Sequence, residues 1–329
     1  MASGYPPMYL CAMNKKIERI IPQPAAPGMV GDGFRVYNYI PGHGGDSSIS
    51  QQRISPFLML DFNAEIDFGP SNRVRGVGVH PHKGFETVTI AYKGSVAHND
   101  SAGNSGIIHP GDVQWMTAGA GILHKEYHEQ EFSKKGGPFE MVQLWVNLPK
   151  KDKLTAPHYQ SITAAQMGKV ELAGGKGHVN VIAGTFTSKT SGDAATDAGV
   201  PVSATDAGAP VSVTGPTATY TPVNLFDLRL KKGGTVSTSL PAGHNTALLL
   251  VNGSANVNGQ PAPEHSFVLF ANEGEEITIT ASEDAVILLL SGEPLNEPIA
   301  SYGPFVMNTQ EEIVESIREV QAGKFGVLD

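Results

Sequence analysis

His80-Pro81-His82-Lys83-Gly84-Phe85-Glu86-Thr87-Val88-Thr89-Ile90 opens the stretch that decides how this chain is read, and Gly119-Ala120-Gly121-Ile122-Leu123-His124-Lys125-Glu126 closes it. Successive side chains on a strand point to opposite faces. His80 and His82 therefore share a face if their segment is extended, and His124 and Glu126 share one by the same rule. Two such strands lying side by side, both pairs turned inward, bring three imidazoles and a carboxylate to one point. That is the arrangement of a metal site, with Lys125 pointing away from it.

A lone His-x-His pair is a weak signal, because short motifs arise by accident. The second pair, His124 and Glu126, strengthens it, as do the turn glycines Gly94, Gly111, Gly119 and Gly121 between them. Glu86 lies at even spacing from His82 and is expected to face the same point. It is then a rival fourth ligand, a pocket acid that moves a proton, or a carboxylate that orients a ligand imidazole. Borderline nitrogens with one hard oxygen suit Fe(II), Mn, Ni, Co or Cu, and four protein ligands on a six-coordinate ion leave places for dioxygen and a substrate oxygen. His98, His109 and His128 read as exposed or turn histidines, and Trp115 as core.

Outward from this stretch, the first half repeats one pattern. Phe34-Arg35-Val36-Tyr37-Asn38-Tyr39-Ile40 and Glu140-Met141-Val142-Gln143-Leu144-Trp145-Val146 are short β-prone runs, and Gly, Pro, Asn and Asp separate such runs throughout. Closely spaced short strands with turn residues between them predict an all-β sandwich or barrel. The same signal returns after Tyr220, in Asn224–Leu230, Ala247–Val251, Phe267–Phe270 and Val286–Leu290. There the position of a His-x-His pair holds Gly243-His244-Asn245-Thr246. Two similar barrels follow, the first alone binding metal.

Between the halves, Thr185 to Thr219 is built almost wholly of Ala, Thr, Ser, Gly, Asp, Pro and Val, with Ala195–Ser203 nearly duplicated as Ala204–Ser212. A repeat this short is no solenoid unit, so the segment reads as a flexible insertion with little power to bury core. The chain ends in a predicted helix. Thr309 and Glu312 form a capping box, Gly323 fits the position past its end, and Ile313, Val314, Ile317 and Val320 form a stripe for docking on a barrel. The expected layout is a leader over 1–15, a metal-binding barrel over 16–150, a connection over 151–184, the insertion over 185–219, and a second barrel with the helix over 220–329.

The 329 residues carry a net charge of -9, which argues against a surface that itself grips nucleic-acid phosphates. One cysteine, Cys11, leaves no intramolecular disulfide and fits a reducing compartment. No run approaches the roughly 18 apolar residues of a membrane span, and the N-terminus lacks a secretory pattern. A cytoplasmic protein is expected, or a nuclear one in a eukaryote.

His80–Thr89, Pro110–Gly119 and Gly121–Glu126 together resemble the signature of the pirin family, two-barrel members of the cupin superfamily. The resemblance continues in Gln143–Pro149, Gly292–Pro298 and Tyr302–Asn308 and spans about Lys16 to Gly326. The leader and the insertion are departures, and neither touches the ligands. The resemblance implies two double-stranded β-helix (jelly-roll) barrels with a C-terminal helix. It implies a mononuclear iron held by His80, His82, His124 and Glu126, whereas Glu86 aligns with the carboxylate ligand of many other cupins. Some pirins resemble quercetin 2,3-dioxygenases, which open a flavonol ring with dioxygen; others are described as regulators of transcription factors or metabolic enzymes.

The leading expectation is therefore a monomeric dioxygenase acting on a flavonol such as quercetin, with one divalent ion, Fe(II) before Mn, Ni, Co or Cu. In that reading Glu86 is the base that removes the substrate proton. The alternative is a metal-bearing regulator that binds a protein partner without turnover. Neither reading requires direct nucleic-acid or membrane contact.

Overall fold

The computed structural model describes residues 13–40, 49–188, 194–197, 200–202 and 211–329. Cys11 and most of the leader lie outside the described residues. The first half supplies β1 (Ile17–Ile21), β2 (Gly28–Val30), β3 (Phe34–Ile40), β4 (Phe57–Phe68), β5 (Gly76–His82) and β6 (Phe85–Lys93). It continues through β7 (Val96–Asp100), β8 (Ser105–Ile108), β9 (Val113–Thr117), β10 (Ile122–His128), β11 (Gly137–Asn147) and β12 (His158–Ile162). A seven-stranded sheet in the order β12-β9-β6-β11-β4-β3-β2 faces a four-stranded sheet in the order β5-β10-β7-β8. Together they make the first barrel.

The second half begins with β13 (Gly168–Glu171), β14 (Gly177–Ala183), β15 (Thr185–Ser188), β16 (Ala194–Asp197), β17 (Val200–Val202) and β18 (Val211–Thr214). There follow β19 (Val223–Leu230), β20 (Thr235–Ser239), β21 (Asn245–Asn252), β22 (Ala255–Val257), β23 (Gln260–Ala262), β24 (Phe267–Phe270), β25 (Glu276–Ala281) and β26 (Ala285–Gly292). Its sheets run β1-β24-β21-β26-β19-β14-β13-β16-β17 and β18-β15-β20-β25-β22-β23. The all-β, two-barrel expectation holds.

Alternation along the strands divides the core in two. Leu60, Phe62, Val88, Ile90, Val142 and Leu144 point out of the first barrel and pack with Leu225, Leu249, Leu269, Leu288 and Leu290 of the second. Each such side chain contributes about 1.5–3 kcal/mol on burial, so this shared layer holds the barrels face to face. The interior of the second barrel is filled by apolar side chains, among them Phe226, Leu228, Leu248, Leu250, Ile279 and Leu289.

Several expected boundaries give way to pairing between the halves. The connection over 151–184 is no linker: β12 completes the first barrel, while β13 and β14 belong to the second. The insertion is structured at both ends. Thr185–Ser188 pairs antiparallel with Val211–Thr214, and Phe186 and Val213 are buried in the second core. Two β-branched or aromatic anchors suffice to tie the ends down; much of the remainder lies outside the described residues. Ile17–Ile21, expected in the first barrel, pairs instead with β24 of the second.

The C-terminal residues cross the other way. β27 (Ala300–Tyr302) and β28 (Phe305–Met307) form a hairpin before a helix at Gln310–Gln321. Among the described residues no helix is long and apolar enough to cross a membrane. Phe305 bridges to Lys83, and Val306 packs with Leu58 and Phe85. Ile313, Ile317 and Val320 join a cluster with Leu123 of β10, while Val314 is exposed, one position outside the docked face. Thr309 and Glu312 form the expected capping box, and Gly323 has φ +72°. Lys153, fully buried, donates hydrogen bonds of 2.8 Å each to the Gly84 carbonyl, the Val306 carbonyl and Asn147 Oδ1.

Candidate metal centre

β5 and β10 run antiparallel, and their register sets His80 directly opposite His124 and His82 opposite Ile122. Ring centroids lie 4.3 Å apart for His80 and His124, 4.6 Å for His82 and His124, and 4.8 Å for His80 and His82. One ring nitrogen from each lies within 4.8 Å of the others. The approach is closest between Nε2 of His80 and Nε2 of His124, at 2.8 Å. Strand alternation and this register thus bring the three histidines together.

Glu126 stands at the edge of this cluster, with Oε2 4.0 Å from His124 Nε2. A shift in the β5–β10 register falls between His124 and Glu126. The carboxylate is held from the opposite sheet. Gln143 Nε2 donates to Oε1 at 3.2 Å and Oε2 at 3.1 Å, and Thr89 Oγ1 donates to Oε1 at 3.4 Å. Trp145 Nε1 donates to Gln143 Oε1 at 3.2 Å, which fixes the amide with its donor toward Glu126. The indole also meets the His82 ring edge-on, centroids 5.4 Å apart. Gln143 and Trp145, two apart on β11, share the inner face by the same parity that pairs the histidines, and that alternation is the sequence signal that marks them.

The donors fit a divalent transition-metal ion. His80 Nδ1 lies 2.8 Å from the Gly78 carbonyl, which can only accept, so this nitrogen carries a proton and Nε2 is the ring nitrogen turned to the cluster. Nδ1 of His82 and Nδ1 of His124 are buried without a hydrogen-bond partner. Burial drives both imidazoles well below the usual histidine range, and neighbouring imidazoles push the same way, so both are neutral, as metal ligands must be. Burial raises the Glu126 carboxyl, opposed by His80 and by the Gln143 and Thr89 hydrogen bonds. Three imidazoles beside one carboxylate suit Fe(II), Mn, Co, Ni or Cu better than a hard, all-oxygen ion.

His80, His82 and Glu126 open on a cavity of about 450 Å³ whose walls include Met29, Phe34, Met59, Met141, Trp145 and Pro304. A larger cleft, about 790 Å³, runs between the barrels past Tyr92, Glu140 and Arg229 and holds none of the expected ligands.

Glu86 is not in the site. Even spacing from His82 would place it there on one unbroken strand, but Gly84, at φ +85°, turns the chain between β5 and β6 and resets the phase. Glu86 therefore shares a face with Val88 and Ile90, toward the other barrel, and accepts a 2.7 Å hydrogen bond from the Thr117 hydroxyl. Thr87 and Thr89 take the inner face instead. Burial raises the Glu86 carboxyl to about 7.

Two of the three bystander histidines are also buried. His98 lies directly opposite Glu126 on β7 and stacks on Tyr159 with centroids 4.8 Å apart. His128 is enclosed by Phe34, Phe68 and Phe139, with Nε2 2.8 Å from the Gly33 carbonyl. His109 is exposed beside Ser95, and Trp115 is core.

Two double-sheet barrels joined through their large sheets, with three histidines converging inside the first, define a two-barrel cupin. The Pirin family model matches residues 33–146, and the model for the Pirin C-terminal cupin domain matches residues 225–326. The chain belongs to the pirin family. It is 42% identical over 296 residues to a Pseudomonas aeruginosa protein provisionally named quercetin 2,3-dioxygenase, covering 90% of this chain and 93% of that one. Pirin-like protein 2 of Arabidopsis thaliana is 35% identical, covering 86% of this chain and 79% of its own length. A crystal structure of quercetin 2,3-dioxygenase from Acinetobacter baumannii superposes with a TM-score of 0.82 at 42% identity, covering 96% of this chain and all of that one.

Proposed function

We propose that this chain is a metal-dependent dioxygenase that opens the oxygenated ring of a flavonol such as quercetin, with His80, His82, His124 and Glu126 as the protein ligands. The observation that carries the reading is the convergence of three imidazoles, one ring nitrogen each within 4.8 Å, beside a largely apolar cavity of about 450 Å³. Relatives named for quercetin 2,3-dioxygenase activity support the substrate class.

A divalent ion bound there, Fe(II) in the first instance, would polarise a substrate oxygen and exchange electrons with dioxygen. The chain's own contribution is placement. Gly78 fixes the His80 tautomer, while Gln143, Thr89 and Trp145 orient Glu126. Met59, Met141 and Trp145 give a flat ligand apolar surface and exclude water from the reacting centre. The test is aerobic loss of quercetin absorbance with iron-loaded protein. Wild type is expected to turn over, and His82→Ala to fall to the rate of free iron. Equal rates would contradict the reading and leave a metal-bearing binding protein, the alternative, as the better account.

A further inference from the structure

With Glu86 on the far face of the sheet, the proposed reaction lacks the proton acceptor assigned to it from the sequence. The inner wall of the first barrel supplies another. The ladder places Asn38 opposite Asp61, Asp61 opposite Gln143, and Gln143 opposite Thr89, so these four polar residues form one row across four adjacent strands. Polar groups in an otherwise apolar wall cost free energy unless they are paired. Gln143 and Thr89 are paired with Glu126, and Asn38 Nδ2 donates to Asp61 Oδ1 at 2.7 Å.

Asp61 is thus held in a fixed orientation and lines the same cavity as His80, His82 and Glu126. Directly opposed residues on neighbouring strands have Cβ atoms about 4.5–5.5 Å apart. Asp61 therefore stands one strand from the amide that grips Glu126. Besides Glu126, it is the carboxylate that the cavity wall presents among the described residues.

We propose that Asp61 accepts the proton of the ligand hydroxyl directed at the histidine cluster. The inference rests on the flavonol reading above and goes beyond it by naming the base and the group it acts on. In the step, the O–H bond of the flavonol 3-hydroxyl breaks, its proton passes to an Asp61 carboxylate oxygen, and the electron pair stays on the ligand oxygen. The substrate class narrows accordingly to flavones that carry an ionisable hydroxyl beside the ring carbonyl.

The test is anaerobic calorimetric binding to full-length, Fe(II)-loaded protein, with quercetin and its 3-deoxy flavone analogue as probes, for wild type, Asp61→Asn, Asp61→Glu and Glu86→Gln. Metal content is measured on each sample. Asp61→Asn is expected to keep its iron and to bind quercetin about tenfold or more weakly, as for loss of a hydrogen bond to a charged group, while the 3-deoxy analogue loses less than about threefold. Asp61→Glu is expected to recover part of the loss, and Glu86→Gln to bind both as wild type does.

Equal fold-losses for the two probes, unchanged quercetin binding by Asp61→Asn, or loss of iron from that variant would overturn the proposal while leaving the flavonol reading intact. Wild type that binds no quercetin would overturn both. Under air, kcat for Asp61→Asn should fall more than KM rises; a change in KM alone contradicts a role in proton removal.

Discussion

Gly84 decides which carboxylate does what. A Cβ there would meet the Val306 carbonyl at 2.0 Å, and its φ of +85° is one that side-chain-bearing residues rarely adopt. Because the chain turns at this glycine, Glu86 is committed to the layer between the barrels, where burial holds its carboxyl near 7 against an ordinary 4.5. As pH rises from 4.5 to 7, the unfolded chain gives up this proton while the folded chain keeps it. Stability is therefore lost across that window, by on the order of 3 kcal/mol, and changes no further from this group above it. Glu86→Gln removes the loss, so the melting temperature of the variant should gain on wild type between about pH 5 and pH 7.5; a constant difference across those buffers would contradict the assignment. Strand alternation in the sequence is enough to bring His80, His82 and His124 together, because it is unbroken along both of their strands. Alternation does not place Glu86, where a positive-φ turn intervenes, nor His98 and His128, whose burial depends on cross-strand neighbours that local spacing does not reveal.

The two histidine-bearing strands are braced from behind by the C-terminal hairpin and helix. Lys83, next to His82, is paired with Glu319 of the helix, and Leu123, next to His124, packs on the same buried cluster as Ile317 and Val320. A Cβ at Gly121 would meet the Phe325 ring at 2.3 Å, so that turn is also closed by the tail. The helix depends in turn on its cap, where Glu312 N–H donates to Thr309 Oγ1 at 3.2 Å. Thr309→Ala should cost about 1 kcal/mol, measured by urea unfolding of the metal-free protein; no change would mean that the cap is not limiting. This helix was legible because caps are local signals. The strand character of Thr185–Ser188 and Val211–Thr214 was not, because low-complexity composition hid two anchors, Phe186 and Val213, that matter only once their partners are present.

The two halves are interlocked as well as packed: β1 enters the sheet of the second barrel, and the last residues close over the first. Such exchange leaves no trace in periodicity, since it pairs segments as remote as Ile17 and Phe270. It does predict that the barrels unfold together. Scanning calorimetry of the metal-free protein should show a single transition with calorimetric and van't Hoff enthalpies in agreement; two resolved transitions would mean that the shared core of Leu60, Val88, Leu249 and Leu288 does not couple them. Saturating metal should then stabilise the whole molecule, by about 2.7 kcal/mol at a free concentration of 100 Kd. All of the chemistry assigned to this architecture depends on an ion held by the histidines of the first barrel. The most direct test is elemental analysis after anaerobic Fe(II) loading and desalting of wild type, His82→Ala and His124→Ala: one tightly held ion per wild-type chain and little in either variant is expected, and a wild type that retains none, or variants that retain as much, would contradict it.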